Sequence, residues 1–375
     1  MASKRYTAKV IPDVDPAELR PLRPWRRRLC IWALFVLLTV AMTWPHARVI
    51  ATHSIEHQDI FFNIWRLAWV HHALVTSPSH LFDANQFHPE KGVLAYSDAM
   101  PLESFIAAPL FAMRLPPMLI HNLLLLGAIA SSGIGMFALA RYLWRDDAAA
   151  VLAGIIFAFA PYRFAHYMHM ELQWTMWIPW AFWAMHRTLE TGRLKFGVLT
   201  GLFIALQMVS SVYYGIFLVV LLSIVGLVQL VRVAPAARAA TAGAFAAGAV
   251  LTIGVAAIYS KPYRDATARV GVRSLPEIFE YSAKPSSYLR VTEGNYLYGR
   301  SRAGGAELSL FPGYVPALLA LGAVALMRPS VLVMSYVLGL ALAFDLSLGL
   351  NGLVYPWLHG RVTVFQGLQI GRAHV

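Results

Sequence analysis

The chain has 375 residues, of which 58% are apolar and 13% charged, about half the charged share of soluble domains. With a positive mean hydropathy and apolar residues grouped into repeated long runs, an ordinary soluble domain is excluded. The net charge of +12 lies in an N-terminal tail and in short connectors, a topology signal rather than a nucleic-acid surface, and the single cysteine, Cys30, excludes an intramolecular disulfide or a Cys-based zinc or redox motif.

Residues 1–28 form a basic tail expected on the cytoplasmic side, with Lys4, Arg5, Lys9, Arg20, Arg23, Arg26, Arg27 and Arg28 ahead of the first apolar run. That run, Leu29 to Trp44, has no small-x-small cleavage site and is followed by Pro45 and His46, so it reads as an uncleaved signal anchor. A membrane-crossing helix needs about 20 mostly apolar residues. On that measure the fold class is all-α polytopic membrane protein, with about nine transmembrane helices near 29–45, 117–140, 149–164, 172–189, 196–212, 213–231, 237–259, 310–327 and 331–350. The first of two long outer loops is expected to carry interfacial helices. The stretch 105–113 is apolar but short and hemmed by Pro101, Pro109, Pro116 and Pro117, so it reads as re-entrant or interfacial. With the N-terminus inside, the basic connectors at 141–147, 186–195, 231–238 and 327–330 all fall on the cytoplasmic side. The long loops 46–116 and 260–309, and the turn PYRFAHYMHME (161–171), fall outside, together with most of the histidines.

The densest chemistry follows the first run, in HSIEHQDIFFNIWRLAWVHH (53–72). From Gln58 to Thr76 there is no Gly or Pro, and Phe61, Trp65 and Trp69 recur every four residues, as on one face of a helix lying at the lipid headgroups. Glu56, Asp59, Asn63 and Arg66 line a second face, so the helix would offer carboxylates beside an arginine. Simpler roles stand beside these: Asp59 as a helix cap, Arg66 as a contact for lipid phosphate, the stripe as an anchor alone. His53-Ser54-Ile55-Glu56-His57 also spells H-x-x-E-H, a zinc-protease pattern, but no second helix supplies an obvious third ligand. The rest of the loop, with Asp83, Glu90, Asp98 and Glu103, is too long for a plain connector and too rich in apolar residues for disorder.

On the turn after the third expected span, Arg163, His166 and His169 are candidates to neutralise a phosphate, the two histidines sharing a face if the turn is helical. Arg163 can equally end a span with its guanidinium reaching to the interface. The second outer loop carries many basic residues, among them Arg264 and Arg269, and tyrosines suited to stacking on sugars. Glu307, just before a span and next to LFPG, is a candidate for acceptor binding, since a carboxylate there is costly unless paired. Asp345 lies within the last expected span, as a buried functional acid or near a misplaced span end.

The stretches HQDIFFNIWRLAWVHHAL, LFDANQFHPEKGVLAYSD, HNLLLLGAIASSGIGMFALARYL, LAGIIFAFAPYRFAHYMHMELQWTMWIPW and AELSLFPGYVPALLAL resemble a bacterial branch of the GT-C glycosyltransferases. The resemblance covers most of residues 30–368. It implies an inner-membrane enzyme that moves a sugar from a polyprenyl-phosphate donor to an extracytoplasmic acceptor, with the lipid bilayer as surroundings. It places Asp59 where the superfamily's first-loop acid acts as base or holds a divalent metal, magnesium or manganese being the candidates. Glu56 and Asp98 are weaker matches, and Arg66, Arg163, His166, His169 and Glu307 are the remaining expected substrate-binding residues. The last residues, IGRAHV (370–375), match a reading frame of a common sequencing adapter, so the polytopic domain at 29–369 is expected to continue beyond this sequence. A transporter or lipid flippase is the rival reading. It calls for internal repeats and charges inside the spans, and Asp345 is the one acid there.

Overall fold

The structure is a computed structural model that describes residues 24–55, 57–271, 274–295, 298–299, 305–362 and 365. Glu56, the tail before Pro24, and the end from residue 366 on, with the adapter-like hexapeptide, lie outside the described residues. Among those described, the regular elements are all helices. They run α1 (Pro24–Met42), α2 (Gln58–Thr76), α3 (Pro101–Ala112), α4 (Pro117–Trp144), α5 (Asp147–Ala158), α6 (Pro161–Ala165), α7 (Met170–Gln173) and α8 (Trp177–Thr191). The second half continues with α9 (Leu194–Ser210), α10 (Val212–Gln229), α11 (Arg238–Val270), α12 (Leu275–Glu280), α13 (Tyr314–Leu326), α14 (Val331–Ser347) and α15 (Val354–His359).

Among the described residues, four segments are long and apolar enough to cross a membrane, Pro117–Trp144, Asp147–Ala165, Val212–Arg232 and Pro235–Val270. Helices α3, α9, α13 and α14 are apolar but shorter. The ends follow local chemistry. Asp146 caps α5 by accepting from the Ala149 amide at 2.7 Å, and Gly192 closes α8 in the left-handed region at φ +59°. On the same connector Asp147 pairs with Arg27 and Arg141, joining the start of α1 to the end of α4.

Several helices differ from the expected spans, the one at 149–164 being divided between α5 and α6. Helix α8 starts at Trp177 instead of near 172, because residues 170–173 form the separate short helix α7. Helix α11 does not stop near 259 but runs to Val270 through Pro262, so the second outer loop opens as helix. At 33 residues it is roughly 50 Å long, more than a bilayer's hydrocarbon thickness.

Helix α11 packs most closely on α9. A side chain on Gly201 would overlap the Gly248 carbonyl, and one on Gly248 would overlap that of Gly197, so only hydrogen at these positions lets the backbones approach. Thr252 Oγ1 ties the contact by donating to the carbonyls of Gly201 and Gly248, each at 3.1 Å.

The first outer loop folds back on α2 instead of leaving it on lipid. Trp65 Nε1 donates to Asn85 Oδ1 at 3.0 Å and Trp69 Nε1 to the Leu81 carbonyl at 2.8 Å, while both rings pack against a small core of Val70, Ala84, Val93, Leu94 and Ala99. Of the expected lipid-facing stripe only Phe61 stays open, 66% exposed. The correction has a simple cause: an aromatic stripe that meets lipid and one covered by its own loop look alike in hydropathy. The N-cap of α2 is His57, whose Nδ1 accepts from the Asp59 amide at 3.2 Å, so Asp59 is not the cap. Residues 53–55 are not helical, and His53 bonds Thr52 at 2.8 Å, so the histidine pair of H-x-x-E-H does not share a helix face.

The outer end of α11 holds this loop from the far side. Arg269 reaches Glu90 at 2.9 Å and also the Lys91 carbonyl, and Tyr263 Oη accepts from the Ala99 amide at 3.1 Å.

Candidate functional site

The second face of α2 is the one that faces inward. Asn63 and Arg66 are buried, and Asn63 Nδ2 donates to the Met168 carbonyl at 2.8 Å, fixing α2 to the turn between α6 and α7. Arg66 spreads its guanidinium over four partners: Ser97 Oγ at 2.9 Å, the Asp98 carbonyl at 2.7 Å, Glu171 Oε2 at 3.1 Å, and Asn63 Oδ1. A planar fork with five donors suits such a site, where a lysine could serve only part of it.

The 161–175 turn is held from inside by Gln173, whose Nε2 donates to the Arg163 and His166 carbonyls, both at 2.9 Å. Arg163 returns the bond, with Nη2 to the Gln173 carbonyl at 2.7 Å, Nε to Gln173 Oε1 at 3.2 Å and Nη1 to Thr175 Oγ1 at 2.5 Å. Arg163 is therefore a buried structural tie and is not among the residues lining the cavity described below. His46 adds an outer fastening through Nδ1 to Tyr167 Oη at 2.7 Å.

This turn presents His166, His169 and Glu171 to a cavity of about 1290 Å³. His166 and His169 meet through a hydrogen-bonded turn, not one helix face: the His169 amide donates to the His166 carbonyl at 3.1 Å, and their rings lie 5.5 Å apart. Asp59 enters from α2, with Oδ2 at 3.3 Å from His169 Nδ1 and 3.5 Å from His57 Nδ1. Glu307 enters from the short turn Ala306–Leu308, which packs on α6. One ring nitrogen each from His166 and His169 and a carboxylate oxygen of Glu307 all lie within 4.8 Å of one another.

The cavity is two-sided in character. Its polar end holds Asp59, Arg66, Asp98, the two histidines, Glu171, Arg264 and Glu307. Tyr162, Tyr214, Tyr259, Tyr263 and Tyr288 also line it, and Ile216, Phe217, Val220 and Leu221 of α10 with Leu342 and Leu346 of α14 give it apolar lining. A smaller cavity of about 190 Å³ adjoins the polar end, and Asp59, Phe62, Tyr96 and Ser97 line both.

Asp98 accepts from the Val212 amide at 3.3 Å. Burial and the charge of Glu171 push its carboxyl up to about 7, against the opposite pull of the Val212 amide and Arg66. Glu103, fully buried on α3, is likewise raised well above the ordinary carboxylate range by its burial.

Of the residues singled out in the sequence, Asp59, Arg66, Asp98, His166, His169 and Glu307 come together on one cavity, Arg163 does not, and Glu56 lies outside the described residues. The sequence reading missed Glu171 as the partner of Arg66. Its signal was present: it is the one acid on the 161–171 turn, two residues past His169. It also took Asp345 as a possible functional acid. Asp345 instead accepts from the Leu353 and Val354 amides at 2.8 and 2.7 Å, which holds the start of α15.

No family model, no curated protein and no solved structure matches this chain.

Proposed function

We propose that this chain is an integral-membrane glycosyltransferase of the GT-C type, taking a sugar from a polyprenyl-phosphate donor to an acceptor outside the cytoplasm. The observation that carries the reading is the position of Asp59 at the junction of a large cavity with an apolar wall and a small polar one. A volume of about 1290 Å³ exceeds the usual range for a small metabolite, and its mixed polar and apolar lining suits a headgroup joined to a long hydrocarbon chain. The small cavity would then admit the acceptor hydroxyl.

In this scheme Asp59 takes the acceptor's proton as the glycosidic bond forms, as a general base within reach of both substrates. Arg264, exposed on the cavity wall, is the cation available to the departing phosphate. Arg66 is already committed to Glu171, Ser97 and the Asp98 carbonyl, so it shapes the site more than it binds substrate. The tyrosine belt supplies flat apolar faces for sugar rings. The setting is a bacterial inner membrane with nine crossings, the N-terminus inside and the cavity opening outward, supported by basic residues on the connectors that this layout puts inside. Asp345, the one acid inside the expected spans, accepts from the Leu353 and Val354 amides, which favours a structural role for it.

The test is transfer of radiolabelled sugar from polyprenyl-phosphate donors in membranes carrying the protein, with Asp59→Asn beside it. Loss of a general base predicts a fall of about 10²- to 10⁴-fold at unchanged protein level. Undiminished transfer in Asp59→Asn would move the base elsewhere, and no transfer from any donor would sink the enzyme class.

A further inference from the structure

Two segments far apart in sequence deliver two imidazoles and a carboxylate to one point. His166 follows α6, His169 precedes α7, and Glu307 sits on the turn before α13. We propose that His166, His169 and Glu307 bind one divalent transition-metal ion, zinc being the ion that the donor set suits best.

The donors decide the class of metal. Magnesium takes oxygen ligands in a strict octahedron and keeps its waters, whereas imidazole nitrogen suits zinc and its neighbours in the first transition row. Two histidines with one glutamate, and a fourth position left open, is a recurring arrangement for catalytic zinc. That replaces the magnesium or manganese expected from sequence resemblance. The geometry is close to what such an ion needs. Ligand atoms about 2.1 Å from a tetrahedral centre stand roughly 3.4 Å apart. The three present here lie within 4.8 Å of each other, so side-chain rotations of about 1 Å close the site.

Asp59 contributes a further sign. Its Oδ2 lies 3.3 Å from Nδ1 of His169, and a carboxylate there favours a proton on Nδ1, leaving Nε2 for the metal. His57 Nδ1 is occupied in accepting the Asp59 amide, so His169 is the imidazole within reach of that carboxylate. The open position of the ion faces the cavity, because all three ligands line it. If the cavity takes a phosphate-linked sugar as proposed above, the ion is placed to polarise a phosphate oxygen. Metal binding itself does not depend on that reading.

The experiment uses the full chain in lipid nanodiscs, purified without a histidine tag, stripped with chelator and dialysed against zinc. Zinc per chain is read by mass spectrometry, and affinity by competition with a chromogenic chelator. One ion per chain is expected, with affinity down at least 10-fold in His169→Ala and in Glu307→Gln, and down less in Asp59→Asn. Cobalt in the unmutated protein should give visible bands of a four- or five-coordinate ion, a readout that stands even if a variant misfolds. Wild-type protein that retains no zinc, zinc held equally by monodisperse His169→Ala and Glu307→Gln, or magnesium competing on equal terms would each overturn the site. Zinc bound as expected with no sugar transfer supports the site while removing the transferase reading. Sugar transfer by wild-type protein that retains no zinc does the reverse.

Discussion

Arg66 and Arg163 are both buried, 2% and 7% exposed, on elements that touch each other at the outer side of the fold. Their surroundings differ. Arg66 meets a carboxylate, Glu171, and lines the cavity beside Asp59. Among the described residues, Arg163 bonds neutral partners, the side chain and carbonyl of Gln173 and the hydroxyl of Thr175, and it is not among the residues lining the cavity. A buried guanidinium with neutral partners uses its donors to lock a turn, while one with an acid and an open side shapes the electrostatics of a site. Burial and residue type alone do not separate these roles; the partners do.

The contrast predicts its largest effect at Arg163. Arg163→Ala strands Gln173 and Thr175 and removes charge-assisted bonds worth about 1.5–3 kcal/mol each, so it should leave little monodisperse protein by fluorescence-detected size exclusion. Whatever fraction folds should transfer sugar normally per folded molecule. Normal stability with lost transfer would erase the distinction between the two arginines.

Arg66→Lys should show the opposite balance. A lysine keeps a charge for Glu171 but cannot also hold Ser97 and the Asp98 carbonyl in the same plane. About a 10-fold fall in transfer is expected, with the melting temperature lowered by only a few degrees. Collapse of the fold comparable to Arg163→Ala would show that Arg66 is a structural tie as well.

The smallest effect concerns Asp98. Its carboxyl titrates near 7 in the folded chain and near the ordinary 3.8 when unfolded. The unfolded state therefore ionises first. Its contribution is most favourable below pH 4, falls as the pH rises toward 7, and levels off above it. Asp98→Asn should flatten that slope in melting temperature against pH, with a gain of order 1 kcal/mol at pH 8 after allowing for solvent in the cavity. A slope unchanged in Asp98→Asn assigns it to another group.

The polar face of α2 was legible because Asp59, Asn63 and Arg66 repeat at helical spacing whatever covers them. What covers them was not. Trp65 and Trp69 read as lipid anchors, yet their indole nitrogens bond the same chain twelve to twenty residues further on. The outer length of α11 was also hidden, since Lys261, Pro262, Arg264 and Asp265 signal the end of a hydrophobic run and not the end of a helix. The meeting of His166, His169 and Glu307 depends on the turn 306–308 packing on α6 across about 140 residues of chain, and no local periodicity encodes it.

The same α11 has a mechanical consequence. Gly248, where it presses on α9, is 22 residues from its far end at Val270, about 33 Å of helix with Pro262 along it. A tilt of about 5° around that fulcrum swings the far end by roughly 3 Å, the width of one hydrogen bond. Arg269 and Tyr263 ride on that arm and grip Glu90, Lys91 and Ala99, so the arm carries the first outer loop with it. A small rotation deep in the helical layer thus becomes a hydrogen-bond-sized step at the rim around Asp59.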